Sequence, residues 1–326
     1  MSNKEIYSKT IGFSIRKLLY DFLSLLFLAG ACAAGFLIAD KTKNAGLVGL
    51  AIGLVVGLVI VGIFMHFYGY TFKAGQIAMM TEGITAGTLP DDVIGTGKKV
   101  VKERFATVAA YYAATGLIKG IFGEIGKGLN AIGRAVGGDG GETVTSVISA
   151  VLQVIIDYLS DCCLGWVFYR GAQNAARSTL EGAVIFFRHG KTFLKNMARV
   201  FGLGAASLAV VGGVFSGISY LVVSRFPQAM NVLANEIAEI AANDETSKIP
   251  SFLYDPKTLT IAVAIVCGVV IWSFIHSTLI RPYVLVGVLR NYLESGMNDV
   301  PTQESFEELD GKSKKFAKAH KQLAAG

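Results

Sequence analysis

Five apolar runs of roughly helix-spanning length, bounded by clusters of Lys and Arg, constrain this chain more than any other feature. They are Leu18 to Ile38, Ala45 to Tyr68, Val144 to Tyr169, Val200 to Val223 and Leu259 to Ile280. A helix needs about 20 apolar residues to cross about 30 Å of hydrocarbon. Only 17% of the 326 residues are charged and 52% are hydrophobic. A soluble chain carries closer to a quarter charged residues. The fold class expected is therefore all-α, a polytopic membrane protein, and the 38 glycines fit it, since Gly is commoner in membrane helices than in soluble ones.

A sixth run, Phe105 to Phe122, is apolar but leads into Glu124 and Lys127. Loop charge decides its place. The N-terminus, the stretch from Lys73 to Arg104, the stretch from Arg170 to Arg199 and everything after Arg281 are rich in Lys and Arg, and the positive-inside rule puts them in the cytoplasm. Two consecutive inner stretches need an even number of crossings between them, so the run at Val144 takes the run at Phe105 as its partner. Six spans arranged as three hairpins result: 18–38 with 45–68, 105–122 with 144–169, and 200–223 with 259–280. The GGDGGE turn from Gly137 to Glu142 and the acidic loop 224–258 are then external, and both termini are cytoplasmic, in the cell membrane. Residues 1–296 form the transmembrane domain. Residues 297–326, charged and poor in large apolar side chains, read as a mobile cytoplasmic tail.

The N-terminal run is too long for a secretory h-region, and Leu28 stands one residue too far from Cys32 for a lipoprotein cleavage box, so a retained first helix is expected. Net charge is +6. The cations flank apolar runs, which points to anionic lipid at the cytoplasmic face and away from nucleic acid. Each hairpin is followed by a segment that ends in Glu and Gly: Ala74 to Gly83, Gln173 to Gly182 and Val286 to Gly296. Internal repeats of this kind are common in transport proteins.

Polar residues at membrane depth are costly and default to functional candidates. Gln153, Asp157 and Asp161 recur every four residues and form one helical stripe. Lys119 and Lys127, with Glu124 nearby, give the preceding run a polar face. These six are the candidate transport path, for a small solute or ion; the alternative is that Asp161 meets water near the cytoplasmic end and Lys127 to Arg134 leaves the membrane as an interfacial amphipathic helix. Glycines at 49, 53 and 57, and again at 213 and 217, allow close helix approach, within the chain or in a homo-oligomer. The rival reading is a non-enzymatic scaffold or membrane-shaping protein assembled through those glycine faces.

Cys32, Cys162, Cys163 and Cys267 lack zinc-ligand spacing and read as packing residues. No HExxH, Ser-His-Asp or Cys-His order stands out among the few histidines, and the lysines at Gly311-Lys312-Ser313 and Gly97-Lys98-Lys99 lack the rest of a phosphate-binding loop. No enzyme, metal or cofactor is expected.

From Leu159 to Gly213 the chain resembles the choline transporter-like family, through Cys162, Cys163, Asn174, Ala175, Asn196, Arg199, Gly212 and Gly213. The resemblance implies transport of a quaternary amine. A cation of that kind is held by an aromatic cage, for which Tyr111, Tyr112, Trp166 and Tyr169 (with Trp272) are the candidates. That family has more spans and a large external domain, which this chain lacks.

Overall fold

The computed structural model describes residues 1–43, 46–64, 69–137, 141–243 and 249–325. Every regular element among them is helical. The chain divides into two compact units, residues 1–197 with 281–326 and residues 198–280.

In the first unit α1 (Asn3–Lys43) and α2 (Gly46–Phe64) run antiparallel. Their approach is set by glycine. A Cβ at Gly49 would lie 2.1 Å from the Gly35 carbonyl oxygen, one at Gly53 2.3 Å from that of Ala31, and one at Gly57 2.7 Å from Leu28. The outer faces are large and apolar, from Leu19 to Ile38 and from Val48 to Phe64, and they are exposed.

Below this hairpin the character changes. The first turns of α1 bury Ile6 and Phe13 against α3 (Tyr70–Thr85), and Gln76 of α3 donates to the Ser14 hydroxyl at 2.9 Å. Asp92 caps α4 (Val93–Arg104) by accepting from the Gly95 amide at 2.9 Å. A Cβ at Gly97 of α4 would meet the Phe13 ring at 2.6 Å. An 80° bend separates α4 from α5 (Val108–Gly137). α5 pairs with α6 (Gly141–Tyr169).

The second half of α6, the first turns of α7 (Ala175–Ser207) and α11 (Arg281–Asn298) form the densest packing. Cys162, Cys163, Trp166, Val184, Leu289 and Tyr292 are fully or almost fully buried there. The Glu-Gly ends of the three segments are all helical, in α3, α7 and α11. Each terminal glycine is a close approach: a Cβ would lie 3.1 Å from Ile6 at Gly83, 2.3 Å from Cys163 at Gly182 and 2.6 Å from Trp166 at Gly296.

In the second unit, α8 (Gly213–Val223) packs antiparallel to α10 (Pro256–Ile275). A Cβ at Gly268 would lie 2.5 Å from the Ser216 backbone nitrogen, and Trp272 Nε1 donates to Ser207 at 3.0 Å. Asp255 starts α10 by accepting from the Thr258 hydroxyl and amide, and these bonds hold its carboxyl below the usual carboxylate range. An amphipathic helix, α9 (Pro227–Asn243), fills part of the acidic connection.

Two expectations differ from what is seen. By length and apolarity three helices among the described residues qualify as membrane spans (Asn3–Ala39, Gly202–Val223 and Pro256–Asn298), or four if the bent α4–α5 pair is one span. These apolar helices are compatible with a membrane-embedded protein; the six-span arrangement is not reproduced. Val48–Phe64 is apolar but short, and Gln153, Asp157 and Asp161 dilute the apolarity of α6. The tail expected to be mobile is helical: α12 (Gln303–Asp310) and α13 (Lys314–Ala324) bury Phe306, Leu309 and Phe316. Three large apolar residues at helical spacing suffice to seat two short helices on a ready-made surface.

Candidate functional site

The polar stripe of α6 leads to a charge cluster in the first unit. Asp161 is almost fully buried, and its two oxygens are divided between two cations: Lys73 Nζ of α3 lies 2.6 Å from Oδ1, and Arg281 Nη2 of α11 lies 2.6 Å from Oδ2. The Arg281 guanidinium also stacks over the Tyr158 ring at 5.1 Å. One turn away Asp157 faces Lys119 of α5 at 3.3 Å, with both side chains partly exposed. Gln153, a further turn along, is exposed. Asp157 is thus paired with another residue of the candidate path. The Lys127 side chain and the middle of the GGDGGE turn lie outside the described residues.

Glu124 reaches the C-terminal tail. Its Oε2 accepts from the Ser313 hydroxyl at 2.7 Å and from the Lys315 amide at 3.1 Å. Ser313 in turn caps α13 by accepting from the Phe316 amide at 3.2 Å. A glutamate on α5 thus completes the N-cap of the tail helix, where four amides would otherwise lack partners. Glu124→Ala is expected to loosen α13 without unfolding the rest. Limited trypsin digestion reads this out as faster cleavage after Lys314, Lys315 and Lys318, while sites in α7 are cut at the unaltered rate.

The aromatic candidates form two groups rather than one cage. Tyr111 and Tyr112 surround Tyr70, with ring centroids at 4.9 and 6.2 Å. Trp166 stacks on Tyr169 at 5.1 Å. Trp166 is fully buried and its Nε1 donates to Glu181 Oε2 at 3.1 Å, so its face and its donor are both committed. The glycine candidates also divide. Those at 49, 53 and 57 are occupied by α1 of the same chain, whereas a Cβ at Gly213 or Gly217 would meet nothing within 4 Å.

Three residues of these clusters escaped the sequence reading. Lys73 and Arg281 each stand among the first cations after an apolar run, where the positive-inside rule accounts for them fully. Glu181 marked the end of a repeat segment, and nothing in its neighbours signalled a buried carboxylate. Among the described residues no group of three or more His, Cys, Asp or Glu is arranged to hold a metal ion. Comparison with protein-family models, curated proteins and solved structures finds no match. The choline transporter-like resemblance rests on the residues of 159–213 alone.

Proposed function

We propose that this chain is a non-enzymatic, membrane-anchored helical scaffold. Two apolar hairpins, α1–α2 and the pair built on α8 and α10, cross the bilayer, and the α5–α6 hairpin belongs to a charged cytoplasmic unit. The observation that carries this reading is where large apolar side chains stay exposed. Most lie on α1 and α2, from Leu203 to Phe226, and along α10, with a few at Val232, Ile240, Phe252, Tyr283 and Val300, whereas the described side chains of α5 and α6 contribute only Val154 and Tyr169. Lipid-facing surface is apolar and uncovered by protein. On α5, by contrast, Ile118, Ile121 and Phe122 are buried within the chain.

The tail helix supports the same assignment. Glu124 sits about 24 Å along α5 from Val108, and it caps a helix bearing Lys314, Lys315, Lys318 and Lys321. If α5 crossed the membrane, those lysines would be carried toward the hydrocarbon, at about 2.5–3.5 kcal/mol each on insertion scales. The charge rule is equally satisfied by zero crossings between the two inner basic stretches. On this reading Asp161, Lys73 and Arg281 are a structural tie. The exposed lysines Lys98, Lys99 and Lys102 of α4 face anionic headgroups, and any glycine-mediated self-association falls to Gly213 and Gly217.

Transport of a small solute or ion is the second reading, favoured by the exposed Gln153 and the partly exposed Asp157–Lys119 pair. It requires α5 and α6 to span. A cysteine placed at Glu142 separates the two in sealed vesicles probed with a membrane-impermeant maleimide. Labelling from the side that labels a cysteine at Gln322 is the scaffold result, and labelling from the opposite side overturns it. Asp157→Asn should leave solute flux in liposomes unchanged on the scaffold reading and lower it on the other.

A further inference from the structure

We infer that the cleft where α6 gives way to α7 is a binding site for a phosphate-bearing anion, gripped by Arg170 and Arg177. The cleft is open, with a volume of about 610 Å³, and is lined by Tyr169, Arg170, Ala172, Gln173 and Arg177. The inference is independent of whether the chain is a scaffold or a transporter.

The Arg170 guanidinium is positioned from beneath, and the more exposed Arg177 is drawn toward the same carboxylate. Glu181 is buried, and its carboxylate is fixed by Trp166 Nε1 at 3.1 Å and by Gln173 Nε2 at 2.8 Å. It then holds Arg170 Nε at 3.2 Å and Arg177 Nε at 3.8 Å. The Gln173 side-chain oxygen accepts a second bond from Arg170 Nε at 2.8 Å. Both arginines face the carboxylate through Nε, and among the described residues their Nη groups make no hydrogen bond. A planar guanidinium with its outer edge free is the donor geometry that suits phosphate oxygens.

Charge favours an anion here as well. Arg104 stands behind the cleft, donating to the carbonyls of Gly171 and Gln173 and to the Ser178 hydroxyl, and its Nε is buried without a partner. Three arginines against one carboxylate leave the site positive. The N-terminus of α7 adds its partial positive charge from the same side. The half-exposed Tyr169 hydroxyl is available as a further donor. Glu181 also neutralises part of the mutual repulsion of the two arginines.

Phosphate can arrive as a free ion or metabolite, or as a lipid headgroup, and the test separates these sources. The full chain in neutral detergent is titrated with inorganic phosphate by calorimetry. In a second arm, nanodiscs containing phosphatidylglycerol or only phosphatidylcholine are compared for lipid retained on extraction. The double variant Arg170→Gln/Arg177→Gln should weaken binding in at least one arm by about tenfold or more, as expected when charge-assisted hydrogen bonds are lost. The control Lys312→Gln, a half-exposed lysine paired with Glu308, should leave both arms unchanged. Arg170→Lys/Arg177→Lys, which keeps the charge and removes the fork, should fall between the two. A loss confined to the calorimetric arm assigns a soluble ligand, and a loss confined to the nanodisc arm assigns the bilayer. Equal binding by the unaltered chain and the double glutamine variant in both arms, or no binding in either, overturns the site.

Discussion

Replacing Asp161 with asparagine is expected to destabilise the first unit by about 3–5 kcal/mol, the range seen when one partner of a buried ion pair is removed. The carboxylate holds Lys73 and Arg281 at 2.6 Å each, and its side chain is only 5% exposed. An amide can accept one hydrogen bond in its place, but it leaves two cations facing each other without the carboxylate between them. Melting of the purified chain in mild detergent, followed by tryptophan fluorescence, reads the effect, because Trp166 lies in the same packed region and Trp272 is the only other tryptophan. Asp157→Asn is the contrast. Its partner Lys119 is 55% exposed, so solvent screens the pair and the change should stay below about 1 kcal/mol. Exchanging all three members for apolar residues, Lys73→Met, Asp161→Leu and Arg281→Met, should recover most of the loss, because buried ion networks often tolerate well-packed apolar replacement. If Asp161→Asn melts with the unaltered chain, the cluster is hydrated and is not a tie.

What the sequence disclosed, and what it withheld, follows from the range of the interactions. Local periodicity placed Gln153, Asp157 and Asp161 on one helical face and Lys119 on the polar face of the helix beside it, and the Asp157–Lys119 contact lies within that reach. Lys73 and Arg281 approach Asp161 from distant parts of the chain, and no helical period relates them to it. The α5–α6 hairpin shows a second limit. Ile118, Ile121 and Phe122 are buried among other helices. A helix enclosed by protein can be as apolar as one enclosed by lipid, so hydropathy treats both alike. The tail was misread for a third reason. Its surface is dominated by lysines and glutamates, and the residues that dock it, Phe306, Leu309 and Phe316, are too few to raise its mean hydropathy. The cap at Ser313 depends on Glu124, which belongs to another part of the chain.

The glycine series of α2 was legible in spacing but not in partner, and it supplies the other large expected effect. Gly53→Val should prevent the α1–α2 hairpin from closing. The new Cβ alone would lie 2.3 Å from the Ala31 carbonyl oxygen and 3.1 Å from the Cys32 Cα. Both are backbone atoms, which no rotamer change can move aside. The helices would have to separate by an ångström or more, and the approaches at Gly49 and Gly57 would open with them. In lipid no hydrophobic force draws the pair back together, since acyl chains solvate the exposed faces as well as the partner helix does. The expected outcome is poor recovery from detergent and rapid proteolysis between α1 and α2. Gly30→Ala and Gly62→Ala, on the same two helices, are the controls: their added methyl groups meet nothing within 4 Å, and alanine favours helix over glycine by about 1 kcal/mol. They should match or exceed the unaltered chain in stability. Gly213→Val separates packing within the chain from packing between chains. Its Cβ has open space, so a folded variant with a smaller detergent-extracted assembly would place self-association on α8, and an unchanged assembly would remove the last glycine face from that role.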